Sequence, residues 1–330
     1  MKKLSMKDIA EYAGVSVATV SRVINGNGRF SEETRQKVNN IIEEYNYTPS
    51  NVARALRTQK MPCIAIIVPD ITNEFFAKLV MLIEEKLMTL TYTTMICNTH
   101  ESAAIEAKFI PMINALNISG LIYIAEGEGG NPVVRKDLPV VYIDRISNDV
   151  EENIFIASDN FLGGYLAGER LIKAGCRRSL FIMDNRNISA FIDRQKGFTK
   201  AHADYNIKFS EQLICCANGV DFEAGKQEIE WLINSGILFD GIFCVSDMLA
   251  FGAYGELTSR GFSVPEDVKI IGFDDISISQ YALKPLTTIQ HNTELIAKNA
   301  VSTILKLVCG ETVATKNIII PVSLIERSTT

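Results

Sequence analysis

Two short helical segments on either side of Gly14-Val15-Ser16 open the chain, and this arrangement constrains its fold more than any other feature. Ser5 and Asp8 have the spacing that caps the first helix, and Gly14 can end it because glycine adopts the left-handed conformation without strain. A third helix is predicted from Ser31 to about Tyr45. Together the three segments predict a helix-turn-helix unit.

The second helix has an apolar side that is predicted to pack inward, formed by Val20, Val23 and Ile24. The opposite side carries small residues, which let the backbone approach a major groove, and Arg22, which can bridge O6 and N7 of guanine. We expect the exposed positions to be Val17, Ala18, Ser21 and Arg22. The predicted DNA contacts of the head are Val17, Ala18, Thr19, Ser21, Arg22, Asn25, Arg29 and Tyr47. A three-helix module that binds another protein is the alternative.

The distribution of charge favours a nucleic-acid partner for the first sixty residues. The net charge of the whole chain is −6, which taken alone argues against DNA binding. Residues 1–60, however, contain 10 Lys+Arg and 6 Asp+Glu, a net charge of +4, whereas residues 61–330 contain 23 and 33, a net charge of −10. The chain therefore has a basic head and an acidic body.

Four runs in the head match a known family. Residues 6–10, 13–16, 19–25 and 47–49 read Met-Lys-Asp-Ile-Ala, Ala-Gly-Val-Ser, Thr-Val-Ser-Arg-Val-Ile-Asn and Tyr-Thr-Pro. They closely resemble the lactose-repressor/galactose-repressor family. The likeness continues through Ala53-Arg54-Ala55-Leu56 and, more loosely, to the last residues, 324–330, so it covers the whole chain. It implies a DNA-binding regulator of transcription with a sensor domain.

Residues 48–60 are predicted to form a hinge. The segment from Asn51 to Leu56 is far shorter than the roughly 12–15 residues that an isolated helix needs in water, so we expect DNA and a second copy to stabilise it. The resemblance implies that two hinge helices pair over the operator centre and that Leu56 wedges into the minor groove and bends it. The predicted hinge contacts are Asn51, Ala53, Arg54 and Leu56. An ordinary interdomain linker is the alternative.

After Pro62 short apolar runs alternate with helices, and a similar series begins again after Asp159. This alternation predicts parallel, doubly wound sheets in two lobes. The predicted fold class is an all-α helix-turn-helix head plus an α/β two-lobed core like that of periplasmic binding proteins. The second series includes a predicted helix at 193–203, and Pro111 is expected to kink or stop the helix that begins near Ser102.

The predicted domains are a helix-turn-helix domain at 1–47, the hinge at 48–60 and an effector-binding and dimerisation domain at 61–330. Within the last, we expect an N-lobe of about 61–160 plus 290–317. The C-lobe is then about 161–289 plus 318–330.

Polar residues follow many of the predicted strands, at the edge where open α/β sheets bind ligands. The candidate effector-binding residues are Asp70, Asn73, Phe75, Asp144, Arg145, Asp159, Arg194, Ser246, Asp247 and Asp274. Carboxylates and amides can pair with the hydroxyls of a polyol, and Phe75 can cover the apolar face of a sugar ring. The resemblance matches Arg194 and Asp274 to the family's effector-binding arginine and aspartate. Each candidate could instead cap a loop or a helix, because Asp and Asn at strand ends are more often caps.

The sequence departs from the family in two places. Glu74 stands where the family usually has proline in an Asn-Pro-Phe-Phe loop, so the entrance to the cleft is expected to differ. His291-Asn292 replace the common Gln-Pro where a strand crosses between the lobes, so the movement of the lobes about this crossing is expected to differ.

Other classes of function find little support in the residues. No apolar stretch follows the first lysines and no run approaches the roughly 20 residues of a membrane span, so we expect a cytoplasmic protein. The seven cysteines have no C-x-x-C spacing, so neither a structural metal nor another cofactor is expected. Nucleotide-binding glycine motifs and the Gly-x-Ser-x-Gly nucleophile motif are missing from the sequence, so we predict neither catalytic residues nor an enzyme.

The functional hypothesis is a homodimeric repressor of a carbohydrate-utilisation operon. Two heads bind the halves of a double-stranded operator, and a mono- or disaccharide or sugar phosphate bound between the lobes changes the affinity allosterically. The alternatives are a catabolite-control-type regulator triggered by a protein partner, a sugar-binding transport receptor and a sugar-metabolising enzyme. A transport receptor would need an export signal and no basic head.

Overall fold

The computed structural model describes residues 4–25, 28–45, 47, 61–124, 134–144, 153–186 and 188–330, without the side chain of Asn25. The chain divides into two compact units, Met1–Pro62 and Cys63–Thr330, named the head and the sensor below. Five predicted site residues lie outside the described residues: Asn51, Ala53, Arg54, Leu56 and Arg145. Within the described ranges, every helix is too short or too polar to span a lipid bilayer.

The described part of the head consists of three helices, α1 (Met6–Ala13), α2 (Val17–Asn25) and α3 (Glu32–Glu44). Helix α1 begins at a capping box, in which Ser5 Oγ accepts from the amide of Asp8 and the Asp8 carboxylate accepts from the amide of Ser5. It ends at Gly14, whose φ of 64° is left-handed. The amide of Thr19 donates to Ser16 Oγ at 3.1 Å and caps α2. The predicted helix-turn-helix is confirmed.

The head has a small apolar core to which all three helices contribute. Its buried members are Ile9, Ala10, Val20, Val23 and Val38. The spacing of Val20 and Val23 on α2 is that of one helix face, so the same periodicity that predicts the helix also selects its buried side.

The sensor alternates strands and helices along the chain. The first part consists of β1 (Met61–Val68), α4 (Glu74–Thr89), β2 (Thr93–Asn98), α5 (Ala103–Ala115), β3 (Ile118–Ile124), β4 (Val140–Ile143) and β5 (Phe155–Ser158). The second part consists of α6 (Asn160–Lys173), β6 (Ser179–Asp184), α7 (Ser189–Asp204), β7 (Ile214–Ala217), α8 (Phe222–Asn234), β8 (Gly241–Cys244), α9 (Asp247–Ser259), β9 (Lys269–Asp274), α10 (Ser277–Tyr281), β10 (Thr287–Gln290), α11 (Thr293–Val308), β11 (Asn317–Ile320) and β12 (Ser323–Ile325).

These strands form two six-stranded sheets, one in each lobe. The N-lobe sheet has the order β11-β5-β4-β3-β1-β2 and the C-lobe sheet the order β12-β10-β9-β8-β6-β7. The pairings are parallel except that of β10 with β12, which is antiparallel. In each sheet the order reverses at one point, between β1 and β3 and between β6 and β8, and such switch points open a crevice at the carboxyl ends of the strands. The predicted doubly wound fold is confirmed.

Each lobe has its own core. In the N-lobe, α4 and α11 bury Leu79, Ile83, Ile296 and Ile304 together with the inner face of the sheet. In the C-lobe, aromatic rings occupy the centre, and Phe243 has ring centroids of Phe181 and Phe198 at 5.5 Å and of Phe273 at 6.4 Å. Because Phe198 lies on α7, these rings join the sheet to that helix, which also carries Arg194.

Within the described residues the chain crosses between the lobes three times, after β5, after β10 and after β11. The predicted lobe boundary near residue 317 lies three residues before the end of β11 at Ile320. Strand β11 continues to Ile320 because its isoleucines pair with residues 156–158 of β5 in the N-lobe sheet. The crossing therefore follows Ile320, and β12 returns the chain to the C-lobe.

Two predicted helices differ in extent. Helix α7 begins at Ser189 rather than at residue 193, and Ala190, which is buried, helps to hold the added turn. Helix α5 runs through Pro111 to Ala115, so the expected stop does not occur. Proline removes only the backbone hydrogen bond to residue 107, and the buried side chain of Ile113 anchors the turn that follows.

Candidate functional site

Helix α2 has an exposed side formed by Val17, Ala18 and Arg22, as predicted. Thr19 is half-buried, and its hydroxyl lies 2.9 Å from Ser16 Oγ at the helix start. Ser21 is buried, with 8% of its surface exposed, so its predicted exposure is wrong. It lies about 100° around the helix axis from the buried Val20, and at this border a side chain as small as serine is covered.

Arg22 projects from α2 past a glycine in the loop that follows. A Cβ atom placed on Gly28 would lie 3.1 Å from Arg22 Cδ, so the missing side chain leaves room for the arginine stem. Gly28 also has a φ of 94°, which other residues rarely adopt. Arg29 next to it is exposed. An exposed arginine on α2 is thus followed by a second exposed arginine in the next loop.

The remaining predicted DNA contacts of the head are Tyr47 and Asn25. Tyr47 packs against the head core, and burial raises the pKa of its hydroxyl. Its amide donates to the carbonyl of Ile42 at 2.9 Å, so the residue secures the end of the head. The side chain of Asn25 lies outside the described residues.

A cavity that opens to solvent lies between the two lobes of the sensor. Its N-lobe wall is formed by Asn73, Phe75, Phe76, Glu101 and Asp144. The rest of the lining comes from Arg186, Ile188, Phe191, Arg194, Val220, Val245, Ser246 and Asp274 of the C-lobe and from His291 in the second crossing. Six predicted effector-binding residues are therefore brought together: Asn73, Phe75, Asp144, Arg194, Ser246 and Asp274.

Arg194 on α7 is a buried cation in the C-lobe wall, with 3% of its surface exposed. Its Nε donates to Asn160 Oδ1 at 2.9 Å, and its Nη1 donates to the carbonyl of Val245 at 2.6 Å. The guanidinium carbon lies 3.4 Å from the ring centroid of Phe273. These contacts fix the orientation of the guanidinium plane, whereas that of a surface arginine would vary.

The position of Arg194 depends on a close crossing of α6 and α7. A Cβ atom on Gly164 would lie 1.8 Å from the carbonyl oxygen of Arg194, and one on Gly197 would lie 1.9 Å from that of Phe161. Neither distance is possible for real atoms, so both glycines are required for this approach. Glycines at these two positions bring the backbone of Arg194 against α6.

Asp274 and Asp144 are two carboxylates of the cavity wall with uncommon backbone conformations, φ of 116° and 70°. Such strain clusters at functional sites. Burial raises the pKa of Asp274 to about 7, an effect that Arg194 opposes and Asp144 strengthens. Among the described residues, Asp144 Oδ1 is buried without a hydrogen-bond partner. The wall thus offers acceptors that suit hydroxyl donors of a ligand.

His291 was not predicted as a site residue, although its departure from the family pattern was the signal. It is buried, and its ring is stacked on Phe75 with centroids 4.1 Å apart. Its Nδ1 lies 2.6 Å from Ser158 Oγ and its Nε2 lies 3.3 Å from Asp274 Oδ1. The residue therefore contacts both lobes from the second crossing.

Asn73 and Ser246 line the cavity while also capping helices. Asn73 Oδ1 accepts from the amide of Phe75 at the start of α4. Ser246 Oγ accepts from the amide of Leu249 at the start of α9 and donates to the carbonyl of Val220. Both side chains are held in place by backbone groups, so they form fixed parts of the wall.

Three predicted effector-binding residues line neither this cavity nor the smaller one beside His291. Asp70 accepts from the amide and hydroxyl of Thr72, and Asp159 caps α6 at Leu162. Asp247 is fully buried beneath the cleft, where its carboxylate accepts from Ile276, Ser279 and Thr288. Burial raises the pKa of Asp247 to about 8, and Asp274 adds to the rise. In this structure the three carboxylates bind nearby backbone amides and hydroxyl groups, and their role in effector binding stays a prediction.

Two contacts join the lobes at the cleft rim, and the sequence did not predict them. Arg186 Nη1 lies 2.7 Å from Glu101 Oε2, and the same guanidinium pairs with Asp184. Both Glu101 and Arg186 follow parallel strands, so the expectation that polar residues after strands lie at the cleft could have identified them. Glu74, the residue in place of the family's proline, accepts from the amide and hydroxyl of Ser277, each at 2.7 Å.

Ser158, His291 and Asp274 form a serine-histidine-aspartate series. A catalytic serine must reach the substrate, but Ser158 has 3% of its surface exposed and lines neither cavity. Its hydroxyl instead ties the first crossing to the second. Among the described residues, no group of three or more His, Cys, Asp or Glu side chains is arranged to hold a metal ion.

Comparison with known proteins gives two family matches. Residues 5–50 match the model of bacterial regulatory proteins of the lacI family, and residues 169–330 match that of the periplasmic binding protein-like domain. The chain is 31% identical over 327 residues to the ribose operon repressor of Halalkalibacterium halodurans, which covers 99% of this chain and 97% of that repressor. It is 32% identical over 306 residues to the regulator GalR of Escherichia coli, with 92% and 89% of the two chains covered.

Two solved structures of the Lac repressor are similar to this chain along its length. The Lac repressor bound to ONPG in the repressed state has a TM-score of 0.87 and 26% identity, and the match covers all of both chains. The Lac repressor dimer bound to operator and the anti-inducer ONPF has a TM-score of 0.86 and 25% identity, with 99% of each chain covered.

Proposed function

The chain belongs to the lacI family of bacterial regulatory proteins and is a DNA-binding regulator of transcription, and from this premise we propose that it represses a carbohydrate-utilisation operon. In this proposal a sugar bound between the lobes changes the affinity of the heads for operator DNA. The observation that carries it is the meeting of Arg194, Asp274 and Phe75 around one interlobe cavity.

The chemistry of the cavity suits a polyol. Asp274 and Asp144 offer acceptors for sugar hydroxyls, the planar guanidinium of Arg194 offers donors, and Phe75 offers an apolar surface for a ring face. The proposed effector is a mono- or disaccharide or a sugar phosphate. The proposal is consistent with relatives named for ribose operons and with a structural relative described with cellobiose.

On the DNA side, we assign base recognition to the exposed face of α2. Ala18 and Val17 leave the helix backbone close to the base edges, and Arg22 can form the bidentate contact with guanine. The hinge contacts of Asn51, Ala53, Arg54 and Leu56 remain part of the proposal, with Leu56 as the minor-groove wedge. Two copies of the chain would occupy the two halves of the operator, as in the Lac repressor dimer bound to its operator.

We further propose that the protein works as a binding switch in the bacterial cytoplasm, where operator DNA is found, and not as an enzyme. The serine of its only serine-histidine-aspartate series among the described residues is buried away from the cavity. The coupling between sugar and operator is expected to be about 1–3 kcal/mol.

The test uses the full-length protein. Operator fragments are selected from a random duplex pool and their affinity is measured by fluorescence anisotropy at fixed salt, while pentoses, hexoses, disaccharides and their phosphates are screened by calorimetry. We expect one sugar to bind and to change the operator Kd about 5- to 150-fold. A protein that selects an operator but binds no sugar would favour a trigger by a protein partner. A protein that binds a sugar but no duplex would favour a transport receptor.

A further inference from the structure

His291 is the middle member of a row of side chains that runs across the cleft. Its ring stacks on Phe75 of the N-lobe and meets Phe273 of the C-lobe edge-on, with centroids 5.0 Å apart. Phe273 in turn carries the guanidinium of Arg194 on its face. The row therefore joins an apolar wall of one lobe to the buried cation of the other.

The hydrogen bonds of His291 have a defined direction. Burial lowers the pKa of the imidazole to about 3, an effect that Arg194 strengthens and Asp144 opposes. The ring is therefore neutral near pH 7 and has one donor and one acceptor nitrogen. The ionised carboxylate of Asp274 only accepts, so in that form Nε2–H donates to Asp274 Oδ1 and Nδ1 accepts from the hydroxyl of Ser158.

Glutamine and phenylalanine each provide only one of the two kinds of contact. A glutamine, which the family usually has here, offers a donor and an acceptor but no ring to lie between Phe75 and Phe273. A phenylalanine offers the ring but no hydrogen bond. Histidine combines the two functions, and it does so where the chain crosses between the lobes.

We propose that His291 is a positioning residue for effector binding, which holds the carboxylate of Asp274 and the ring of Phe75 at a fixed separation across the cleft. Preorganised groups of this kind bind more tightly because less order must be created when the ligand arrives. The inference rests on the proposed function, in which the cleft binds a sugar. It adds that the chain's own departure from the family pattern determines how the sugar-binding groups are presented.

The first experiment needs no ligand. The carboxyl carbon of Asp274 is titrated by NMR in the full-length protein and in the variants His291→Phe and His291→Gln, with Asp274→Asn to assign the signal. Loss of a donor to a carboxylate raises its pKa, so we expect a rise of about 0.5–1 unit in the Phe variant and a value near that of the parent in the Gln variant. Equal pKa values in all three proteins would overturn the proposal.

The second experiment separates positioning from space filling. Calorimetry with D-ribose and the other neutral sugars of the screen is expected to give a Kd about tenfold higher for His291→Phe and within about threefold of the parent for His291→Gln. Thermal unfolding should give the opposite order, because Phe fills the space between the rings. If the Phe variant binds as tightly as the parent, or the Gln variant loses as much, the proposal is wrong.

The far-UV circular dichroism and the sedimentation of each variant are measured, which shows whether the fold and the assembly are intact. If the parent protein binds no sugar at all, the proposed function fails. The Asp274 titration then still decides whether His291 holds this carboxylate, so the two failures are distinguishable.

Discussion

The carboxylate of Glu74 on the N-lobe accepts two hydrogen bonds from Ser277 on the C-lobe, one from the amide and one from the hydroxyl, each at 2.7 Å. Glu74 is the first residue of α4 and Ser277 is the first residue of α10, so the contact joins the starts of two helices in different lobes. Together with Glu101 and Arg186, it holds the cleft closed at the rim.

We predict that Glu74→Pro opens the cleft. Proline is tolerated at the first position of a helix, so the change removes the carboxylate without breaking α4. The contact is near solvent, so its loss should shift the balance between open and closed lobes by about 1 kcal/mol. Single-molecule energy transfer between dyes on the two lobes measures this shift. Lys78→Ala, on the same helix, is the control, and an unchanged distance distribution in the proline variant would contradict the prediction.

Arg22→Ala is expected to lose about 1–3 kcal/mol of discrimination between the selected operator and random DNA, because the bidentate contact with guanine is removed. Arg35→Ala is the matched control, since Arg35 is exposed on α3 and pairs with Glu32 at 2.6 Å. The Arg35 variant should lose affinity for the operator and for random DNA to the same extent. If the operator-to-random ratio does not change in the Arg22 variant, α2 is not the reading helix.

Sugar binding should weaken as the pH falls through 7, because Asp274 has a pKa of about 7. Below this pH the carboxyl gains a proton and loses acceptor capacity for sugar hydroxyls. For binding that requires the ionised form, the Kd should be about tenfold higher at pH 6 than at pH 8. Calorimetry across this range checks it, and the profile of Asp274→Asn should be flat. A flat profile in the parent protein would remove Asp274 from the binding set.

Gly197→Ala is expected to destabilise the sensor by about 1–3 kcal/mol or more, because the added methyl group would overlap the carbonyl oxygen of Phe161 and separate α6 from α7. The variant should also bind sugar less well, since Arg194 moves with α7. Gly255→Ala on α9 is the control, because its Cβ would meet only the ring of Phe222 at 3.2 Å. Chemical denaturation and calorimetry measure both effects. Equal stability of the two variants would show that the helix crossing can adapt.

The fold was largely predictable from local patterns. Capping at Ser5, the glycine at 14 and the spacing of Val20 and Val23 specify the head, because each is a short-range rule. Ser21 was misassigned because a helix pattern does not show how far a buried face extends around the axis. The extent of the N-lobe beyond residue 317 was not predicted, because the pairing of β11 with β5 depends on residues far away in the sequence.

The candidate site was predictable only in part. Choosing polar residues that follow the strands selects Asp144 and Asp274, which lie in the cavity wall. It also selects Asp70 and Asp159, because the residue types that bind ligands also cap turns and helices. The departure from the family pattern drew attention to His291, but its contacts could not be predicted, because its partners lie in both lobes and far away in the sequence.

The described residues of the head contribute five buried apolar side chains to its core, which is small for an independently stable domain. The sensor, by contrast, has two extensive cores, so the two units should melt at different temperatures. Mild proteolysis should then release an intact sugar-binding fragment that has lost all interaction with the operator. Binding to the operator stabilises the head and should protect the chain from that cleavage. A repressor bound to its operator should therefore be degraded more slowly than one released by the inducer.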